Sequence, residues 1–511
     1  MFKRIASSLS RISADQYLLI VVLSLIVLSY ANLLFSTLMY EFGYGAGFSS
    51  PLAGPGDRLA DLVKLSFSYR PFVSGVELKT FQTWPDIFKN YFFYPIYGGK
   101  EALAAGQVIT HFHLPPLQTL IFIACASLIS HTQSVFVGIA TFYGLYLVTI
   151  QRALLVGIPA EKRTTGVSLA TWFIAVLSYP ALLVFSRGNI QSGITSLLII
   201  AFMLSLFLRN RVETAALLSL AIAVNIRPNA VIFALAIPLV LGLEQSFKPM
   251  LYFGALASGI FASSYFVTNW LYPDYTLSTF LQGLAVYKKL YVVGSMGDGA
   301  NSSLWALLKN YGTISANVEN RIALITLLFA ILLAALFWGL RHLSHWMIVA
   351  PVVLIILYAQ FVAITGHRQY FSVAYIVFSV LLAAVAGWGL WFCPKRTLVA
   401  PFVLTALYCL FCPVFADYHL LVFLGPVLLL YFNPREWADN SRPMAAIALA
   451  SILVLSPKNY VGMSGLSLQT IFNPLILYVA TLYVVREARY ISPSPVADGP
   501  LEAAESLAGV C

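Results

Sequence analysis

The first long polar loop, residues 40–113, concentrates carboxylates that could act as general bases. Its acidic residues are Asp57, Asp61, Glu77, Asp86 and Glu101, in a chain of which only 10% of the residues are charged. Asp57 and Asp61 are four residues apart, so in a helix they would share one face. A carboxylate at a membrane surface is partly desolvated, which raises its pKa and lets it accept a proton from a hydroxyl group. The alternative is a solvated loop in which Asp57 and Asp61 pair with neighbouring Arg58 and Lys64.

Basic residues interrupt the later apolar segments at two points. Arg187, Gly188 and Asn189 lie between two apolar runs, where a guanidinium and free backbone N–H groups could hold an anion. Arg227 precedes Pro228 beside two short apolar segments, and a charge so placed usually has a partner, such as a lipid phosphate. The alternative for Arg187 is an ordinary turn with an arginine whose charged end reaches the membrane surface.

Two further groups of polar residues lie near the ends of apolar segments. Asp417 and His419 precede an apolar helix, where a histidine could orient a base or contact phosphate. The alternative is a capping aspartate and an interfacial histidine. Asn301 begins a polar Asn-Ser-Ser-Leu run within a long loop at residues 271–320, which also carries Lys288 and Lys289.

The composition predicts that membrane-spanning helices must position these residues. The chain has 511 residues, 60% of them hydrophobic, with a net charge of +10 and a mean hydropathy of +0.84. Only helices or closed barrels satisfy the backbone in lipid, and long unbroken apolar runs favour helices over alternating strands. The positive charge is expected at cytoplasmic ends of spans rather than on a nucleic-acid surface.

The cysteines predict neither a disulfide framework nor a metal site. Cys125, Cys393, Cys409 and Cys412 lie in or beside apolar segments, and Cys511 is the last residue. Cys409 and Cys412 have a spacing that some metal sites use, but inside an apolar run they are expected to be small buried residues. No metal and no cofactor are expected.

The apolar runs predict an all-α polytopic protein with roughly 12–14 transmembrane helices. After a retained first span from Tyr17, with residues 1–16 in the cytoplasm, apolar segments run at about 113–130, 133–151, 165–186, 190–208, 212–226, 229–245, 249–270, 321–340, 345–365, 370–392, 397–414, 418–433, 442–457 and 470–485. The predicted domains are a transmembrane domain at 17–486, which includes extracytoplasmic loops at 40–113 and 271–320, and a disordered cytoplasmic tail at 487–511.

Lys and Arg residues predict the orientation, with one conflict. The positive-inside rule places Arg209, Arg211 and Lys248 in the cytoplasm and the loops at Arg187, Arg227 and Asp417 outside. Lys162 and Arg163 also appear cytoplasmic, yet two full spans between His113 and Arg152 would place them outside. One of those two segments is therefore expected to be re-entrant or to lie along the membrane surface.

In this order, the motifs resemble the GT-C-type glycosyltransferases that use polyprenyl-phosphate sugars, especially glycosyltransferase family 87, the mannosyltransferase-like group with the DUF2029 domain. The matching elements are Leu114–Leu117 (LPPL, where the family has YPPL), Arg187–Ile190 (RGNI), Arg227-Pro228 (where the family has lysine), Asn301–Leu304 (NSSL) and Asp417 with His419. The resemblance covers about residues 17–433, and each motif alone is weak.

This resemblance implies an inverting transfer of a sugar, mannose-like, from a polyprenyl monophosphate to a glycolipid or envelope glycan acceptor. The implied fold is a GT-C-like bundle in the bacterial inner membrane, with its site on the extracytoplasmic face. Asp61 is the expected base, with Asp57 and Asp86 as rivals. Donor phosphate would be held by Arg187, Asn189, Arg227 and His419, and substrate also by Asn301 and Asp417.

Two other functions fit parts of the sequence. An O-antigen-type polymerase or ligase would use diphosphate donors, but such proteins carry their large outward loop late in the chain, and here the long acidic loop comes first. A lipid-linked sugar flippase or another transporter would need ionisable residues in the middle of its spans. The charges here cluster at span ends, which favours surface chemistry over transport.

Overall fold

A computed structural model describes residues 14–42, 114–132, 135–271, 273, 275–293, 301–307, 386–387, 390, 396–433, 441–458, 460–461 and 466–489. Helices account for most of them. Within these ranges the sheet structure is one antiparallel hairpin, formed by β1 (Tyr460–Val461) and β2 (Leu466–Ser467). The described part of the chain is therefore a helical bundle, in agreement with its long apolar runs.

The first part of the bundle contains α1 (Ala14–Glu41), α2 (Pro116–Thr132), α3 (Val135–Gly157), α4 (Thr165–Leu177), α5 (Tyr179–Arg187), α6 (Ile190–Arg209), α7 (Thr214–Ile226), α8 (Ala236–Leu241), α9 (Leu243–Leu271) and α10 (Leu277–Tyr287). Short 3-10 helices, Ala160–Lys162 and Pro228–Leu235, precede α4 and α8, and a π-helix, Lys288–Val293, follows α10.

The second part contains α11 (Arg396–Phe411), α12 (Leu424–Phe432), α13 (Ser441–Leu455) and α14 (Leu468–Arg489), with a 3-10 helix, Asp417–Phe423, before α12. Every predicted apolar segment inside the described ranges is helical, although the segment at 229–245 is divided among the 3-10 helix, α8 and the start of α9. The segments predicted at 321–340, 345–365 and most of 370–392 lie outside the described residues.

Length and composition indicate a multi-pass membrane protein. Helices long and apolar enough to cross a membrane occur at Asp15–Ser36, Ala140–Gly157, Ile190–Arg209, Leu243–Leu271 and Gln469–Ala488, and the bent pair α4–α5 would add a sixth. The bend of 50° follows from Pro180 at the start of α5, because proline lacks the N–H that a continuous helix would need there. Five shorter apolar helical segments also occur in the described part of the chain, at Thr214–Ile226, Pro228–Leu241, Thr397–Phe411, Asp417–Phe432 and Arg442–Leu455.

Contacts between α3 and α6 establish the direction of the bundle. A Cβ atom added at Gly193 would lie 2.5 Å from Cε2 of Tyr146, and one at Gly157 would lie 3.0 Å from Cβ of Leu204. Both contacts have the same offset along the chain, so the two helices run parallel. Arg209 at the end of α6 donates to the Val156 carbonyl at the end of α3, at 2.7 Å. We call this the basic end, defined by Lys162, Arg163, Arg209 and Arg211.

The opposite end of the bundle holds the polar residues of the candidate site, and we call it the site end. It contains the α5–α6 junction, Arg227, residues 301–303 and Asp417. Arg227 lies just past the end of α7 and donates to Ser192 near the start of α6, at 3.0 Å. Asn301 and Ala416 form an isolated antiparallel bridge that joins two distant segments there.

Helix α2 begins and ends at the site end. Tyr275, just beyond α9, donates to the Leu114 carbonyl at 2.6 Å, and Thr268 of α9 donates to that of Pro116 at 3.2 Å. Two residues separate the end of α2 from the start of α3. Since Tyr146 of α3 lies beside Gly193 near the start of α6, the first turns of α3 extend beyond the start of α6. Helix α2 therefore does not carry the chain from one end to the other. This accounts for the conflict over Lys162 and Arg163, which lie with Arg209.

The remaining helices alternate between the two ends. Tyr431 near the end of α12 donates to Asp15 at the start of α1, at 2.9 Å, and Arg442 at the start of α13 pairs with Glu487 near the end of α14, at 3.6 Å. Helix α6 lies at the centre, with nearly all of its residues buried. Gly425 brings α12 close to it, since a Cβ there would lie 2.6 Å from Cε of Met203.

Candidate functional site

The α5–α6 junction presents Arg187 and Asn189 on either side of a tight glycine turn. Gly188 has a φ of 70°, which L side chains rarely adopt, and its N–H caps α5 by donating to the Phe185 and Val184 carbonyls. Arg187 is the last residue of α5 and is half-buried, whereas Asn189 immediately precedes α6 and is buried. The glycine thus reverses the chain between two helices and keeps both polar side chains at the site end.

Arg227 is connected to this junction by hydrogen bonds. Its Nη2 donates to Oγ of Ser192 at 3.0 Å, and that hydroxyl donates to Oδ1 of Asn189 at 2.5 Å. We call these three residues, together with His419, the Arg227 group. Helix α7 ends before Pro228 because proline disfavours helical backbone in the preceding residue, and Arg227 is accordingly extended, with φ −136° and ψ 96°. The local sequence therefore directs this cation away from the helix axis.

His419 completes the Arg227 group from the other half of the chain. Its imidazole is 3% exposed, with ring centroids 4.7 Å from Tyr418 and 5.3 Å from Phe415. The 3-10 helix that carries His419 packs against α6, which carries Ser192. Nδ1 of His419 has no hydrogen-bond partner among the described residues. A guanidinium and an imidazole at the same end of the bundle could bind an anionic group.

Asp417 forms a second group at the same end. Its carboxylate is fully buried and accepts from Oγ of Ser302 at 2.6 Å and from the Tyr179 hydroxyl at 3.2 Å. Asn473 donates to the Ser302 hydroxyl at 2.9 Å, and Gln469 donates to that of Tyr179. We call these five residues the Asp417 group. Both carboxylate oxygens are therefore hydrogen-bonded, as a buried charge requires.

Two basic residues lie at the same end of the bundle as Asp417. They are Arg187, the last residue of α5, and Lys458, which follows α13. Partial burial lowers the pKa of Lys458 to about 8, and the negative charge of Asp417 opposes that shift. The ammonium group of Lys458 also donates to the carbonyls of Leu453 and Ser456, at 2.7 and 3.2 Å. Lys458 is therefore held at the site end by carbonyl groups at the C-terminal end of α13.

Asn301, predicted as a substrate ligand, has its side chain engaged with the backbone. Its Nδ2 donates to the Pro413 carbonyl at 2.9 Å, and its Oδ1 accepts from the backbone N–H of Phe415 at 2.9 Å and of Ser303 at 3.1 Å. Asn301 therefore fastens the segment that carries Ser302 to the segment that carries Asp417. This arrangement explains how two parts of the chain more than 100 residues apart supply one hydrogen bond.

The two groups share the segments that form them. The α5–α6 junction carries Arg187 and Asn189, which is linked to Arg227 through Ser192, and the 3-10 helix contributes Asp417 to one group and His419 to the other. Six predicted residues thus lie at the site end: Arg187, Asn189, Arg227, Asn301, Asp417 and His419. The three predicted bases, Asp57, Asp61 and Asp86, lie outside the described residues.

Four members of the Asp417 group, and Lys458, were not identified from the sequence. Gln469 and Asn473 are four residues apart on α14 and share one face. This polar pair inside an otherwise apolar helix is the signal that could have indicated them, since polar groups in lipid need partners. Tyr179 carried no such signal, because tyrosines are abundant in this chain. Ser302 lies in the Asn301–Leu304 element, but nothing in that element distinguished it as a partner of Asp417.

The thiols beside Arg227 form no metal centre with other residues that the structure describes. Cys412 accepts from Nδ2 of Asn229 at 2.9 Å and donates to the Val414 carbonyl at 3.1 Å. Cys409 is buried and donates to the Ser302 carbonyl at 3.4 Å. Cys409 is thus the small buried residue expected from its apolar surroundings, whereas Cys412 is half-buried.

Comparison of the whole chain with models of protein families, with curated proteins and with solved structures finds no match in any of the three. What can be said of its chemistry therefore rests on the residues that meet at the site end.

Proposed function

We propose that this protein is a membrane glycosyltransferase of the GT-C type, which transfers a sugar from a polyprenyl monophosphate to a lipid-linked or envelope glycan acceptor. One observation supports it most directly. The residues that resemble family 87 motifs, from Arg187 to His419, are scattered over more than 200 positions of the sequence, yet they meet at one end of the bundle. The donor sugar is expected to be mannose-like, as in the family.

The Arg227 group suits the departing phosphate. Sugar transfer breaks the bond between the anomeric carbon and the phosphate oxygen, so negative charge grows on that oxygen. Fixed positive groups stabilise this charge in the transition state. Arg227, already oriented by Ser192, would face the phosphate together with His419, and Arg187 would add a second guanidinium.

The general base is expected in the first loop. The acceptor hydroxyl oxygen attacks the anomeric carbon with inversion, the polyprenyl phosphate leaves as an anion, and the hydroxyl proton passes to a carboxylate. Asp417 does not suit that role, because it is fully buried and both of its oxygens accept hydrogen bonds from hydroxyl groups. Asp61 remains our first candidate, with Asp57 and Asp86 as alternatives.

The site end is assigned to the extracytoplasmic side. The basic end carries Lys162, Arg163, Arg209 and Arg211, and an excess of lysine and arginine marks cytoplasmic loops. A bacterial inner membrane would suit this orientation, because polyprenyl-phosphate sugars present their sugar on the outer face. The donor would then reach the site laterally from the lipid.

The proposal is tested by transfer of a radiolabelled sugar from polyprenyl-phosphate mannose to a membrane extract by the purified protein in liposomes. We expect Asp61→Asn to reduce the rate at least 100-fold, the low end of what general-base catalysis contributes. Arg227→Gln should reduce transfer at least tenfold, because a charge-assisted hydrogen bond to phosphate is lost.

Arg211→Gln is the matched control, since its side chain is 72% exposed, lies at the basic end and should leave transfer unchanged. Full activity of Asp61→Asn would move the role of base to Asp57 or Asp86, each tested by its own asparagine variant. Transfer from diphosphate donors alone would favour a polymerase or ligase. Movement of labelled lipid across the bilayer with no transfer from any donor would replace the enzyme by a flippase.

A further inference from the structure

Three side chains at the site end form a series of hydrogen bonds whose direction is fixed by their chemistry. Nη2 of Arg227 donates to Oγ of Ser192 at 3.0 Å, and that hydroxyl donates to Oδ1 of Asn189 at 2.5 Å. A guanidinium has donors and no acceptor, so Ser192 can only accept from Arg227. The single hydroxyl proton of Ser192 is therefore the one that Asn189 accepts.

Asn189 occupies the position before α6 at which an asparagine oxygen ordinarily accepts from a backbone N–H of the first helical turn. Its side chain makes no such cap to α6. The backbone N–H of Ser192 donates to the Asn189 backbone carbonyl at 3.1 Å, and the side-chain oxygen of Asn189 accepts from the Ser192 hydroxyl. The asparagine side chain therefore holds the serine side chain rather than the helix terminus.

Burial differs between the two ends of this series. Ser192 is fully buried and Asn189 is 4% exposed, whereas Arg227 is half-buried. Polar groups taken out of water are costly unless they are paired, so the two buried residues hold each other in place. Nε of Arg227 has no hydrogen-bond partner among the described residues. The guanidinium therefore keeps a donor that an anionic ligand could use.

We propose that Asn189 is a positioning residue, which fixes the hydroxyl proton of Ser192 so that the serine oxygen accepts from Arg227 and orients its guanidinium toward the lipid phosphate. Asn189 then acts on the phosphate through Ser192 and Arg227, in contrast to the direct contact expected from its motif. The identity of the ligand rests on the proposed function, whereas the orientation of Arg227 by Asn189 and Ser192 does not.

The first measurement is a double-mutant cycle on the affinity of the detergent-solubilised full-length protein for undecaprenyl phosphate. We expect Ser192→Ala to weaken binding about fivefold and Asn189→Ala about threefold, the scale of one net hydrogen bond. In the Ser192→Ala background, Asn189→Ala should have no further effect, because the two residues act in series. An equal loss in both backgrounds would show direct contact of Asn189 with the phosphate, or a merely structural role, and would overturn the proposal.

Ser196→Ala is the matched control. Ser196 lies one turn further along α6, is 2% exposed and donates to the Ser192 backbone carbonyl at 3.0 Å. Its replacement also removes one buried serine hydroxyl from this helix but leaves the Ser192 side chain in place, so the affinity should equal that of wild type. A loss as large as that in Ser192→Ala would mean that binding depends on the stability of α6, and it would refute the positioning role.

The second measurement needs no ligand. Phenylglyoxal modifies arginine, and its rate at Arg227 can be followed by mass spectrometry of the digested protein. A guanidinium released from Ser192 should react about threefold faster in Ser192→Ala and in Asn189→Ala, the scale of one lost hydrogen bond, and at the wild-type rate in Ser196→Ala. Unchanged reactivity in Asn189→Ala would contradict the proposal. If wild type fails to bind undecaprenyl phosphate, the proposed function fails, and this second rate still decides the inference.

Discussion

Single residues at the site end combine opposite charges within a largely apolar bundle. Asp417, Arg187 and Lys458 lie there together, and Asp417 accepts hydrogen bonds from the hydroxyl groups of Ser302 and Tyr179. A negative charge on Asp417 favours the charged form of Lys458, whereas burial disfavours it.

Lys458 gives a prediction about pH at this scale. Its pKa is about 8 in the folded protein against 10.5 for an ordinary lysine. The folded state thus binds this proton less tightly than the unfolded chain. Below pH 8 the cost of holding a charged Lys458 is fully present, and between pH 8 and 10.5 it is relieved, so stability from this group rises with pH.

The measurement is the melting temperature of wild type and Lys458→Met in detergent between pH 7 and 10.5. We expect the melting temperature of the wild type to rise relative to that of the variant as the pH increases through this range. Methionine keeps most of the side-chain volume of lysine and has no proton to lose. A difference between the two proteins that stays constant with pH would show that Lys458 titrates normally in the fold.

Helices position the site through a few close approaches. Helix α6 is the central one, and its first turn carries Ser192 and Gly193 next to each other. The hydroxyl of Ser192 binds Arg227, while the missing side chain of Gly193 lets α3 come close enough for Tyr146 to pack against it. The packing of α3 on α6 and the geometry of the Arg227 group are therefore set within the same turn.

Gly193→Ala tests this at the scale of the element. The added methyl group would lie 2.5 Å from Cε2 of Tyr146, so the ring or the helix must move, and we expect a loss of about 1–3 kcal/mol in unfolding free energy, as for other overpacked cores. Binding of undecaprenyl phosphate should fall with it, because Ser192 moves too. Chemical denaturation in mixed micelles and the binding assay measure the two effects.

Gly144→Ala on α3 is the matched control. A Cβ there meets nothing within 4 Å, and alanine has a higher helix propensity than glycine by roughly 1 kcal/mol. This variant should be as stable as wild type or slightly more so. Equal stability of the two variants would mean that α3 and α6 are not in close contact at Gly193.

The bundle has a basic end and a site end, and from this we predict that the site end faces outward and the basic end faces the cytoplasm. We expect a cysteine at Asn229, which is exposed at the site end, to react with a membrane-impermeant maleimide added to intact cells. A cysteine at Arg211, exposed at the basic end, should react only after the membrane is opened. Both substitutions are made in a chain whose native cysteines are replaced by serine.

The reverse pattern of labelling would place the site in the cytoplasm and remove the argument for a lipid-phosphate sugar presented on the outer face. Labelling of both positions in intact cells would contradict the separation of the two ends. Either result would leave the contacts within the bundle unchanged, so this experiment decides the orientation alone.

The sequence alone was sufficient to predict the helices of the described ranges, because an apolar run of span length has few other ways to satisfy its backbone in lipid. It also indicated Arg187, Arg227, Asp417 and His419, since charged or titratable residues beside apolar segments are few. The sequence predicted that one of the first two segments after the first loop does not cross, but not which one, because an apolar helix that crosses a membrane and one that stays at a single end have similar compositions.

The tertiary structure decided which of these residues touch. Tyr179, Ser302, Gln469 and Asn473 come from three separate segments, and their grouping around Asp417 depends on how α5, α14 and the 301–307 segment pack. A hydrogen bond between residues more than 100 positions apart leaves no local pattern in the sequence. The catalytic role of the acidic first loop remains a prediction from the sequence. The fold brings together the basic residues that this loop would face.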